Sequence, residues 1–213
     1  MKIDPQYALS SFADDDPVSD TDPHSTFWQS APHIVMNGDT HGKQVPGYRT
    51  EVRSRWTPEN LYFLFSCPYE ELHLKPGPFL AAKTNGLWNW DVAEAFIGSL
   101  NDPIHRYKEF ELSPQGEWLD LDIDLTKPTK IGMESWRSGF KTAARIERKE
   151  KTWYGFMRIP YRAIEEREAA AGNMLRINFF RSQGPNHIEI AWKPPQQESF
   201  HAPEQFGLLR LID

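Results

Sequence analysis

Leu87-Trp88-Asn89-Trp90-Asp91-Val92-Ala93-Glu94-Ala95-Phe96-Ile97 is the stretch whose reading decides the fold. From Asp91 onward its residues sort by parity. Val92, Glu94 and Phe96 fall on one side; Asp91, Ala93, Ala95 and Ile97 fall on the other. Sorting with period two marks a half-buried strand. A carboxylate carried into a mostly apolar strand is costly unless it is paired, liganded or used. The flat indole of Trp88, just ahead of Glu94, is a surface of the kind that holds a sugar ring.

Similar runs recur on both sides of this stretch, separated by turn signals. Residues 50–56 alternate, and Thr57-Pro58-Glu59-Asn60 turns them into Leu61-Tyr62-Phe63-Leu64-Phe65, a hairpin pattern. Residues 107–112 and 117–123 are joined by Ser113-Pro114-Gln115-Gly116. Further strands are expected at 140–147, 152–159, 175–181, 188–192 and 207–212. One short helix is expected, opened by Pro160-Tyr161-Arg162, continued through 163–171 and stopped by Gly172-Asn173. Many short strands with one helical connection predict an all-β fold. The expected architecture is a β-sandwich of the immunoglobulin or jelly-roll kind, mainly antiparallel. Residues 1–26, rich in Ser, Asp, Pro and Thr, read as an extended entry segment, and 27–213 as a single domain.

Composition excludes several classes. A net charge of −6 with no dense Lys/Arg block argues against a nucleic-acid partner. No segment reaches the roughly 20 apolar residues of a membrane helix. The single cysteine, Cys67, rules out an intrachain disulfide and a cysteine-based zinc cluster, and its apolar neighbours predict a buried structural thiol. The amino terminus has no apolar core of a signal peptide, so the expectation is a cytoplasmic protein, or a secreted one if a signal was removed.

Three parts of the chain then resemble carbohydrate-binding module family 9 and its wider family-9-like group, β-sandwiches related to DOMON domains. They are Trp56-Thr57-Pro58-Glu59-Asn60-Leu61-Tyr62, Trp88-x-x-Asp91-x-x-Glu94-x-Phe96-Ile97, and the tail from Trp192 through Pro203-Glu204-Gln205-Phe206-Gly207-Leu208-Leu209-Arg210-Leu211-Ile212. The resemblance implies non-catalytic binding of mono- or oligosaccharide termini, as an accessory to glycoside hydrolysis. It implies two tryptophans clamping a sugar and a carboxylate bonding its hydroxyls. Trp88 and Glu94 match the first tryptophan and the carboxylate, while Phe200 stands where the second tryptophan would be. The family's strand-borne arginine contact falls at Glu111, a charge reversal, and its late-strand amide contact falls near Phe180-Arg181.

Each residue also has a plainer reading. Trp88 or Trp90 could fill the core, and as strand residues two apart both would point the same way. Glu94 could pair with Arg181, since a bidentate Arg–carboxylate pair satisfies both groups when desolvated. His201, on the loop carrying Phe200, is either solvated or part of the site. Asp120, Asp122 and Asp124 share one strand face; they read as a solvent face, with calcium, carried by family members, as the alternative. Met36, Met157 and His187 could serve a haem, though their spacing does not demand it. Two further functions stay open: an interaction module that has lost sugar binding, and a glycosidase using Glu94 and Glu111.

Overall fold

The computed structural model describes residues 7–127 and 136–213. Twelve strands carry the chain: β1 (Tyr7–Phe12), β2 (His33–Met36), β3 (Thr50–Trp56), β4 (Asn60–Pro68), β5 (Val92–Ser99), β6 (Arg106–Leu112), β7 (Trp118–Asp124), β8 (Lys141–Glu147), β9 (Thr152–Pro160), β10 (Met174–Gln183), β11 (Ile188–Ala191) and β12 (Gly207–Ile212). They pair in the order β7-β6-β5-β10-β12-β1-β3-β4-β9-β8, with β11 on β10 and β2 on β3. Strand β1 runs parallel to both β12 and β3, and it links the two halves of this path. The other strand pairs are antiparallel.

The two halves face each other. Phe63 and Phe65 of β4 meet Phe179 of β10 edge-on, with ring centroids 5.1 and 5.8 Å apart, although β4 and β10 are not paired. Alternation explains how one strand serves two cores. Leu61, Phe63, Phe65 and Cys67 of β4 enter the core between the layers, while Tyr62 and Leu64 enter a second cluster on the outer face. Strand β5 divides likewise. Ala93, Ala95 and Ile97 point inward, and Phe96 joins a third cluster on the outer face of the other layer. Full burial of one such aromatic side chain is worth about 1.5–3 kcal/mol.

Each outer face is covered by an irregular segment. Phe27, fully buried Trp28 and Ala31 cap Tyr62, Leu64 and Phe156, and Arg55 donates to the Phe27 carbonyl. The residues after β11 cap β5, β6 and β10 through Phe200 and Phe206. Asn178 fastens the start of that second cover. Its Nδ2 donates to the Lys193 carbonyl at 2.8 Å, and its Oδ1 accepts from the Lys193 N–H at 3.0 Å. Gly207, where the cover returns to the sheet, lies under Trp192: a Cβ there would sit 2.6 Å from the indole. A side chain of any other type would displace that ring.

One expectation is corrected. The helix expected at 160–171 is a single 3-10 turn, Tyr161–Ala163, followed by irregular chain. Arg167 folds back onto Glu165 at 2.9 Å, and Ser99 and Asn101 of the neighbouring strand end also donate to that carboxylate. These tertiary partners outweigh the helix propensity of the Ala/Glu-rich run. Part of the entry segment, read as extended, forms the sheet strand β1. Cys67 is fully buried as expected, and burial pushes its thiol up to about 11. No helix among the described residues is long and apolar enough to cross a membrane.

Candidate functional site

The outer face of β5, β6 and β10 carries a hollow of about 210 Å³ under the second cover. Its walls come from separate elements. Trp88 stands on a 3-10 turn, Leu87–Asn89, that Gly86 opens at a φ of 75°. Such a positive φ suits glycine, which has no Cβ to clash. Buried Leu87 anchors the turn, and the Trp90 N–H closes it on the Leu87 carbonyl at 3.0 Å. The indole of Trp88 is thereby left half-buried at the mouth.

Phe200 lines the same hollow from the cover. Its ring stacks on Phe180 of β10 at 4.2 Å with an interplanar angle of 11°. His201 follows, stacked on Phe96 at 5.4 Å, with Nδ1 sharing a 2.5 Å hydrogen bond with the Tyr107 hydroxyl. Burial, then Glu109 and Glu204, push the Tyr107 phenol well above its ordinary value, so it keeps its proton. With Nδ1 engaged, Nε2 of His201 is the nitrogen that faces Glu109, 3.9 Å away.

The floor is acidic. Glu94 pairs in register with Glu111, and Phe96 with Glu109. One carboxylate oxygen from each of Glu94, Glu109 and Glu111 lies within 4.8 Å of the others, and all three residues are buried. Ser182, His187, Glu189, Glu198 and Ser199 complete the rim. Larger hollows of about 320 and 490 Å³ lie elsewhere. The first is lined by Glu165 and Arg167, which hold each other, and neither is lined by both aromatic side chains and several carboxylates. Apolar walls with a few placed polar groups are the usual lining of a small-molecule site.

The structure brings together Trp88, Glu94, Phe200 and His201, with Glu111 beneath. It leaves Arg181 and Trp90 outside. Arg181 sits opposite Ala93, on the inward parity, and is fully buried. Its guanidinium donates to Thr50 Oγ1 at 2.9 Å, to the Pro68 carbonyl at 2.7 Å and to Gln183. Glu94 faces the opposite side, so the suggested ion pair does not form. Trp90 leaves the strand with the turn, packs on His73 at 4.6 Å and is not among the residues lining the hollow. Asp91 accepts from the backbone N–H groups of His73 and Gly184 and ties two loops together.

The aspartates of β7 do not fit a shared calcium ion. Lys83 takes Asp120 at 2.6 Å, Lys108 takes Asp122 at 2.5 Å, and Lys127 and Arg106 approach Asp124 at 3.6 and 3.5 Å. Met36 and Met157 are in the inter-layer core, whereas His187 lines the outer hollow. The three are not brought together for a haem.

Sequence reading missed Glu109, Ser182, His187 as a rim residue, Glu189, Glu198 and Ser199. Glu109 had a signal, since it shares parity with Glu111. The register that sets both beside Glu94 depends on the 100–105 turn, which sequence did not resolve.

The sequence pattern of the family described as "Carbohydrate family 9 binding domain-like" matches residues 20–213, nearly the whole chain. The chain belongs to this family. Among curated proteins, the chain is 24% identical over 187 residues to an extracellular protein of Arthroderma benhamiae, covering 79% of this chain and 82% of that one. It is 23% identical over 186 residues to endo-1,4-beta-xylanase A of Thermotoga neapolitana, covering 87% of this chain but 16% of the xylanase. The fold matches a family 9 carbohydrate-binding module of Caldicellulosiruptor kristjanssonii solved with cellotriose, at a TM-score of 0.67 and 12% identity, over 97% of this chain and 93% of that one. The same module solved with glucose gives 0.68 at 12% identity, over 96% and 95%.

Proposed function

We propose that this family-9-like domain binds the terminal ring of a carbohydrate in the outer-face hollow, without chemical conversion. The observation that carries the reading is the meeting of Trp88, Phe200 and Glu94 around one hollow of about 210 Å³. An indole packs against the C–H face of a pyranose, for roughly 1 kcal/mol beyond burial by analogy with aromatic pairs. Glu94 accepts hydrogen bonds from ring hydroxyls, and Ser182 and His201 add polar contacts from the neighbouring strand and cover. Membership of the family and the sugar-bound solved relatives support the same reading. Glu111 is fully buried and is not among the residues lining the hollow, which argues against its serving as the second acid on a bound sugar.

Few polar contacts must offset desolvation and lost ligand freedom, so the affinity is expected to be modest. Calorimetric titration with cellotriose and glucose tests the reading. Wild type is expected to bind, and Trp88→Ala to lose at least about tenfold in affinity with a small change in melting temperature. Undiminished binding by Trp88→Ala, or a collapse of its fold, would return Trp88 to a packing role.

A further inference from the structure

Beside Trp88, Phe200 and Glu94, the hollow has a polar edge made by the hairpin of β10 and β11. Ser182 of β10 pairs in register with Glu189 of β11, and both line the hollow. His187, the last residue of the connecting turn, lines it too, with Nε2 3.6 Å from Glu189. Its side chain is 47% exposed, so it fills no core.

The backbone of His187 is the unusual part. The turn Gly184-Pro185-Asn186-His187 closes with the His187 N–H donating to the Gly184 carbonyl at 3.0 Å. The commonest β-turn favours proline second and glycine fourth. Pro185 follows that preference, but the fourth place holds His187 at a φ of 51°. A Cβ there crowds its own carbonyl, a penalty that glycine escapes.

Among the described residues, Lys151 and Gln196 are the other two that have a positive φ without being glycine. Both are tied through their backbone to distant chain. The Lys151 carbonyl accepts from the Tyr69 N–H at 2.8 Å, and the Gln196 N–H donates to the Thr40 carbonyl at 2.9 Å. The His187 N–H bonds inside its own turn, and what its conformation achieves is to bring the ring to the edge of the hollow. Unfavourable backbone of this kind gathers at ligand sites. The ring also suits a sugar: neutral imidazole donates at one nitrogen and accepts at the other, which matches a hydroxyl that does both.

We infer that His187 is a ligand contact of this hollow, holding a sugar hydroxyl from the hairpin while Glu189 steadies its ring. The inference rests on the sugar-binding reading above and adds to it a polar contact carried by a strained turn.

Two variants of the intact chain test it, by calorimetric titration with cellotriose and by thermal unfolding. His187→Gly removes the ring and suits the backbone. It is expected to lose about three- to tenfold in affinity, the effect of one hydrogen bond. Its melting temperature is expected to hold or to rise by up to about 4 °C, as relief of the clash offsets the freedom glycine adds to the unfolded chain. His187→Asn tolerates a positive φ and both donates and accepts, so it is expected to bind within about twofold of wild type. Wild-type affinity in His187→Gly overturns the inference and leaves the sugar-binding reading standing. A loss of affinity that comes with a lower melting temperature also overturns it, since His187 would then only brace the hairpin. So does a His187→Asn variant as weak as His187→Gly. Wild type that binds neither cellotriose nor glucose overturns both readings.

Discussion

Glu94 and Glu111 face each other in register across β5 and β6, on the side of the sheet away from the main core. Two buried acids opposite one another on adjacent strands destabilise a sheet pair. The fold supports that cost with two aromatic clusters, one on each face of β5. The same outer face is where Trp88 and Phe200 converge.

The hydrogen bond between Tyr107 and His201 joins the sheet to the cover that carries Phe200. Tyr107→Phe is expected to cost about 1 kcal/mol of stability, the usual worth of one such bond. It is also expected to weaken cellotriose binding several-fold, because the cover loses its polar tether. Denaturant unfolding and a cellotriose titration check both. Unchanged affinity would mean that the stacking of His201 on Phe96 and of Phe200 on Phe180 fixes the cover unaided.

Arg181 belongs to the interior by its contacts with Thr50, Pro68 and Gln183. Arg181→Ala is expected to lose about 3 kcal/mol or more, since it strands buried acceptors and leaves a void. Urea unfolding measures the loss. A stable variant that no longer binds sugar would instead give Arg181 a role at the ligand.

These residues show what sequence could and could not reveal. Alternation located the strands because one face of each must be buried, and the bounds of β3 and β12 agree with the expected ones. The parity of β5 separated Glu94 from Ala93 and Ala95 correctly. Which face Arg181 shares depends on how β10 registers against β5, and that register is set by distant chain. Arg181 falls opposite Ala93, and Phe180 opposite Glu94. Trp88 escaped the strand reading because Gly86 starts a turn that local periodicity does not display. The helix was misplaced for a different reason: Glu165 and Arg167 spend their side chains on each other and on Ser99.

That last cluster gives a pH signature. Burial alone would raise the Glu165 carboxyl, but hydrogen bonds from Arg167 and Ser99 outweigh it and hold it at about 2. A depressed folded-state value adds stability that is complete above the unfolded value of about 4.3 and lost as pH falls through the folded one. Wild type is therefore expected to lose stability relative to Glu165→Gln between about pH 5 and pH 2. Urea unfolding across that range checks it, and parallel profiles for the two proteins would contradict it.

The most direct measurement is a crystal structure of the chain with cellotriose bound. The terminal ring is expected to lie against the indole of Trp88, opposite Phe200, with a hydroxyl within hydrogen-bond reach of Glu94. A sugar seated instead in the larger hollow beside Trp118 and Phe140, with the Trp88 hollow empty, would contradict the assignment of the site.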